Sequence, residues 1–129
     1  MDVARILNIM IRLCGTGALL LGVAFWLGFA RGLTQLHMGL GIGLVISLWA
    51  LAWIVWRSTK RNSLVAFAAI WGGVSWLLGI AQSQILPGSL HWVVQVTHLV
   101  VGGTTIAIGN LLVSAVQARG LARAPGLSG

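Results

Sequence analysis

Four long runs almost free of charge, at 13–30, 33–56, 64–85 and 91–117, dominate this chain. A helix rises 1.5 Å per residue, so about 20 apolar residues cross the roughly 30 Å hydrocarbon layer of a bilayer. Each run is of that order. The links between them hold turn-formers: Arg31-Gly32, the polar stretch 57–63, and Pro87-Gly88-Ser89. In lipid every backbone polar group must be bonded within its own segment, which leaves helices for runs this apolar. Links this short make consecutive helices antiparallel neighbours. The predicted architecture is all-α: an integral membrane four-helix bundle of antiparallel up-down topology over residues 1–118, followed by a flexible cytoplasmic tail at 119–129 that is poor in apolar surface. The first run follows Arg5 and Arg12 as a signal peptide would, with Gly28-Phe29-Ala30 as a small-residue site. It is longer than the roughly 7 to 15 apolar residues of a signal segment, so it reads as a retained helix.

Composition sharpens the choice of solvent. The chain is 58% hydrophobic and 7% charged, where a soluble domain carries about 25% charge. The net charge of +7 comes from eight basic residues against one acid, Asp2. These cations sit between apolar runs rather than in a patch, so the expected partner is the lipid bilayer and not nucleic acid. Arg5, Arg12, Arg57, Lys60, Arg61, Arg119 and Arg123 fall on the side of both termini, and Arg31 alone on the other. The positive-inside bias then predicts a multi-pass protein of the inner membrane with both termini in the cytoplasm. Of the seven tryptophans, several fall near predicted interfaces, where an amphipathic indole is comfortable. Arg12 is predicted to snorkel, and the lone Cys14 to be an inert buried thiol. With no Asp or Glu in any span, neither glutamate-dependent proton exchange nor a zinc or di-iron site with acidic ligands is expected.

Three histidines carry most of the remaining chemistry, because an imidazole in lipid must hydrogen-bond, ligate something or reach the interface. His37 precedes Arg57 by 20 residues and His98 precedes Arg119 by 21, which sets each about 30 Å above its basic anchor. They lie level. His91 precedes Arg119 by 28, about 42 Å, at or beyond the outer interface. Each level histidine is followed four residues later by glycine, His37 by Gly41 and His98 by Gly102, and an i to i+4 step stays on one helix face. Glycine one turn from an inward imidazole leaves room for a large flat ligand, and Gly39, Gly43 and Gly103 are expected to widen the groove. The two copies are 61 positions apart, which suggests that spans one and two and spans three and four are related hairpins.

These features predict haem b (iron protoporphyrin IX) with His37 and His98 as its two metal ligands. A six-coordinate haem suits electron transfer better than oxygen binding, and its carboxylates would face outward. Arg31, the one cation on that side, is the expected propionate partner, with Gln35, Ser89 and His91 as further donors and Gln95 or a backbone carbonyl fixing the His98 tautomer. The same residues also suit plainer roles. Membrane histidines commonly bond helix to helix, and Gly15, Gly17, Gly22, Gly28, Gly72, Gly73 and Gly79 are the small residues of close-packed interfaces.

The paired His37/Gly41 and His98/Gly102 pattern resembles four-helix membrane b-type cytochromes, and most closely one half of the haem A synthase family. That family has two four-helix halves, each with paired histidines on its second and fourth helices near the outer surface. This chain has one such bundle, no intramembrane glutamate and no outer cysteine pair. The resemblance therefore implies a single-bundle haem carrier rather than haem A synthesis, and the reading adopted is that it passes electrons, between a quinone and an outer redox partner. Two alternatives stand beside it. One is a cofactor-free structural or assembly subunit of a homo-oligomer or larger membrane complex. The other is a quinone- or haem-modifying membrane enzyme, with His91 as acid or base and Gln82, Gln84 and Trp92 at the entrance.

Overall fold

The computed structural model describes residues 2–59 and 61–123, with side chains through Arg119. Its four helices are α1 (Val3–Trp26), α2 (Thr34–Ser58), α3 (Asn62–Ala81) and α4 (His91–Arg123), and no strand occurs among the described residues. All four are long and apolar enough to cross a membrane. Large apolar side chains on their outer faces, such as Leu13, Leu20 and Ile70, are about two-thirds exposed. Such faces are at home in acyl chains, and the protein is an all-α bundle of the multi-pass membrane type.

α1 begins at Val3, ten residues before the expected start of the first span, and ends at Trp26 instead of residue 30. Arg5 and Arg12 therefore lie within the helix. Asp2 caps it, accepting from the Ala4 N–H at 3.3 Å, and Ala4, Ile11 and Gly15 form one buried stripe along it. The other end closes at Gly28, whose φ of 85° belongs to the left-handed region. The Phe29 N–H bonds to the Ala24 carbonyl at 2.8 Å and the Gly28 N–H to that of Phe25 at 3.0 Å, the two crossed bonds of a Schellman closure. The tripeptide that resembles a cleavage site is thus a helix terminus. A 3-10 turn at Arg31–Leu33 then leads into α2, with the Thr34 hydroxyl donating to the Arg31 carbonyl at 2.8 Å.

At the opposite end of the bundle Thr59 terminates α2, donating its N–H (2.7 Å) and its hydroxyl (2.9 Å) to the Val55 carbonyl. Between α3 and α4 come a 3-10 turn at Gln82–Gln84 and the expected Pro87-Gly88-Ser89 turn, where Gly88 takes a φ of 94°. α4 runs on to Arg123, five residues into the expected tail. Lys60, the side chain of Arg123 and the tail segment 124–129 lie outside the described residues.

Sequential helices pack side by side, α1 also packs on α4, and α2 meets α4 across the short diagonal. Helices in lipid associate through close packing and interhelical hydrogen bonds, since lipid tails are as apolar as the side chains. Both devices are present. Ile11, Leu48, Leu51, Val55 and Leu112 are fully buried in the half of the bundle nearer Arg5, Arg57 and Arg119, here termed the basic end. Trp49 Nε1 donates to the Ala69 carbonyl (3.1 Å) and Trp71 Nε1 to that of Val101 (3.3 Å). The Ser75 and Thr105 hydroxyls meet at 2.8 Å, each also donating-competent toward its own helix at the Trp71 and Val101 carbonyls. Gly72 makes the first of these bonds sterically feasible, because a Cβ there would sit 2.5 Å from Trp49 Nε1.

The two hairpins correspond at several buried positions. Shifting α1 by 57 positions onto α3 carries buried Ile11 to buried Ala68 and buried Gly15 to buried Gly72. Shifting α2 by 61 onto α4 carries buried Leu44, Leu51 and Ala52 to buried Thr105, Leu112 and Val113. Even the polar ties between hairpins correspond: Trp49 with Ala69 occupies the place of Asn110 with Arg12.

Candidate functional site

The far half of the bundle is hollow where the basic half is filled. Gly15, Gly22, Gly41, Gly79 and Gly102 lie among larger apolar side chains around an open-sided cavity of about 500 Å³ between the four helices, within the range of cofactor pockets. His37 enters it from α2 and His98 from α4, level as their spacing predicts, with ring centres 6.1 Å apart and planes tilted by 55°. Phe25 of α1 stands edge-on to the His37 ring at 5.3 Å.

Each imidazole rests on a glycine of the preceding helix. A Cβ on Gly22 would lie 3.6 Å from His37 Cε1, and one on Gly79 would lie 3.5 Å from His98 Cε1. These two glycines stand 57 positions apart, as Gly15 and Gly72 do. Gly41 and Gly102 line the cavity itself; Gly41 faces open space, and a Cβ on Gly102 would lie 3.4 Å from Leu19.

A bound group can be tested against these rings. An imidazole nitrogen meets a metal at about 2.0–2.1 Å with its ring centre about 1 Å further back, so two imidazoles on opposite sides of one metal have centres roughly 6 Å apart. The observed 6.1 Å matches that span. His37 Nδ1 and His98 Nδ1 are both buried without a hydrogen-bond partner, although the Ala18 backbone approaches the His37 ring. The contact from the Ala18 backbone on α1 to His37 on α2 fits a helix-to-helix role for that ring, while His98 Nδ1 makes no hydrogen bond. No cluster of three or more His, Cys, Asp or Glu occurs among the described residues. Two imidazoles alone are too few for a structural zinc site, which takes four protein ligands. They suit a metal whose other positions are filled by a macrocycle.

His91, expected at or beyond the interface, is half-buried and lines the cavity near its far end. Its Nδ1 lies 3.3 Å from the Ile85 carbonyl. Gln95 and His98 follow it at i+4 and i+7, so one face of α4 presents all three to the cavity. Gln95 makes no hydrogen bond to His98, contrary to one expected means of fixing its tautomer. Thr34, Gln82 and Ser83 add further polar groups.

Several expected site residues stand elsewhere. Arg31 is exposed on the 3-10 turn and does not line the cavity, because the Schellman closure sets that turn outside the bundle, where a guanidinium keeps its hydration. Gly39 is exposed and away from the cavity, two residues and so about 200° around the helix from Gly41. Gly43 packs on Cys14, whose Sγ would lie 3.2 Å from a Cβ there, so this half-buried thiol is a packing group between α1 and α2. Gly103, Gln35, Ser89, Gln84 and Trp92 are likewise absent from the lining.

No protein-family model, curated protein or solved structure matches the chain. The site is therefore characterised by its own geometry. That geometry adds Gly22, Gly79, Phe25 and Ser75 to the residues legible from sequence. The repeated seven-residue spacing of Gly15 with Gly22 and of Gly72 with Gly79 is the signal that marks the glycine backing of the two rings.

Proposed function

We propose that this protein binds one haem b between α2 and α4, with His37 and His98 as its axial ligands, and that it carries electrons within a membrane. The observation that supports this most is the pair of imidazoles with ring centres 6.1 Å apart beside a 500 Å³ cavity, their Nδ1 atoms without hydrogen-bond partners. A haem held by these two histidines would supply one-electron redox chemistry. The chain's own residues do the holding. Gly22 and Gly79 set the depth of the rings, and Gly41 and Gly102 keep the cavity open beside them. Thr34, Ser83, His91 and Gln95 offer uncharged donors to the carboxylates in place of Arg31.

The positive-inside bias of Arg and Lys supports a reading with the termini in the cytoplasm and the cavity in the outer half of the inner membrane. A quinone and an outer redox protein are the partners that suit this position. An oxidised and a dithionite-reduced absorption spectrum of the detergent-purified chain, with a pyridine haemochrome count, tests the assignment. One b-type haem per chain is expected, with His37→Ala and His98→Ala each abolishing the low-spin spectrum and His91→Ala preserving most of it. Equal loss from all three variants refutes the ligand pair. A preparation that stays colourless after haem is supplied returns the chain to the role of a structural subunit, and turnover of a quinone would mark an enzyme.

A further inference from the structure

A guanidinium near the middle of the bundle is independent of the cavity and of any haem. Arg12 lies on α1 seven residues past Arg5, about 10 Å deeper. Its Nε (3.1 Å) and Nη2 (2.9 Å) both donate to Oδ1 of Asn110 on α4. Asn110 in turn precedes Arg119 by nine residues, about 14 Å, which places the pair well inside a roughly 30 Å hydrocarbon layer. The side chain is tied to α4 by these two bonds, a contact the sequence reading did not include.

This bond leaves the charge unmatched. Asn110 is neutral, and a guanidinium has five N–H donors, of which two are engaged. The only acid of the chain is Asp2, ten residues away toward the basic end, about 15 Å along the same helix. Arg12 is exposed on the outer surface. A cation so placed is costly in hydrocarbon unless it is paired. A second copy of this chain offers no membrane carboxylate, so self-association cannot supply the missing charge. The adjoining face suits a helix: Leu13 and Leu111 are exposed by 68% and 57%, and α4 exposes the small side chains of Ala107 and Ser114 beside Asn110, which permit close approach.

We propose that Arg12 and Asn110 form the docking point for a transmembrane helix of a different protein, one that carries an Asp or Glu at the matching depth. The carboxylate accepts the unused guanidinium N–H groups in the α1–α4 groove. This identifies the chain as one subunit of a hetero-oligomer whether or not the cavity holds haem.

The test uses the full chain in phosphatidylcholine vesicles with a dansyl-labelled Leu/Ala single-span peptide bearing one Glu at the depth of Arg12, or Gln in its place. Energy transfer from the chain's own tryptophans reads association. The Glu peptide is expected to associate at least tenfold more tightly than the Gln peptide. That preference should disappear in Arg12→Gln, persist in part in Arg12→Lys, and pass to a Lys peptide in Arg12→Glu. Circular dichroism confirms that each variant keeps its helices. Equal association of the Glu and Gln peptides with the unaltered chain overturns the proposal and assigns Arg12 to lipid phosphate. A Glu preference that survives Arg12→Gln also overturns it.

Discussion

Two glycines, two residues apart on α2, separate a cavity built for a cofactor from one that merely results from loose packing. Gly41 lines the cavity and Gly39 lies outside it, and at both positions nothing stands within 4 Å of an added Cβ. Leucine therefore fits either site without disturbing the bundle. At Gly41 its four carbons, at roughly a water's share of 30 Å³ each, fill about 120 Å³, about a quarter of the 500 Å³ available. Forcing a group of that size into an occupied site costs about 1–3 kcal/mol, which is about a 5- to 150-fold loss of affinity. Titrating haem into the detergent-solubilised chain and following the Soret band measures this directly. Gly41→Leu should raise the Kd by that factor, Gly39→Leu should leave it unchanged, and both should keep the helicity and thermal midpoint of the unaltered chain. Equal effects of the two variants, or none from Gly41→Leu, would refute the placement of the cofactor.

Other predictions concern the packing that holds the rings level. Gly72→Leu should destabilise the chain by about 1–3 kcal/mol, because its Cβ would fall 2.5 Å from Trp49 Nε1 and break the bond to the Ala69 carbonyl. Gly73→Leu, one residue on with open space around it, should leave the thermal midpoint in detergent unchanged. Ser75→Ala removes one hydroxyl from the buried α3–α4 pair while Thr105 keeps its bond to the Val101 carbonyl. Its expected cost is about 1 kcal/mol, read as a fall in the same midpoint, with the haem stoichiometry preserved.

The helices and the level of the histidines were legible in the sequence for one reason. Depth along a helix is arithmetic: 1.5 Å per residue from a basic anchor places His37 and His98 together without knowledge of any contact. The end of α1 was harder. Arg5 and Arg12 interrupt the apolar run and suggest a later start, but a capped helix with a buried stripe of Ala4, Ile11 and Gly15 extends through both. Arg12 is tolerated there because Asn110, 98 positions along the chain, supplies its partner.

Rotation about each helix axis is a different matter, since it depends on which neighbour the face meets. Sequence alone treats Gly39, Gly41 and Gly43 alike, yet the structure puts one on the outer surface, one in the cavity and one against Cys14. It likewise places Gly22 and Gly79 behind the two rings and carries Arg31 away from the cavity on a turn whose course is set by Gly28. Hydrophobic length and charge placement are properties of each segment by itself, so the sequence determined four apolar helices with two histidines at one depth. Which two rings lie 6.1 Å apart, and which cation is tied to a neighbouring helix, depend on four helices packed together, and only the tertiary structure decided them.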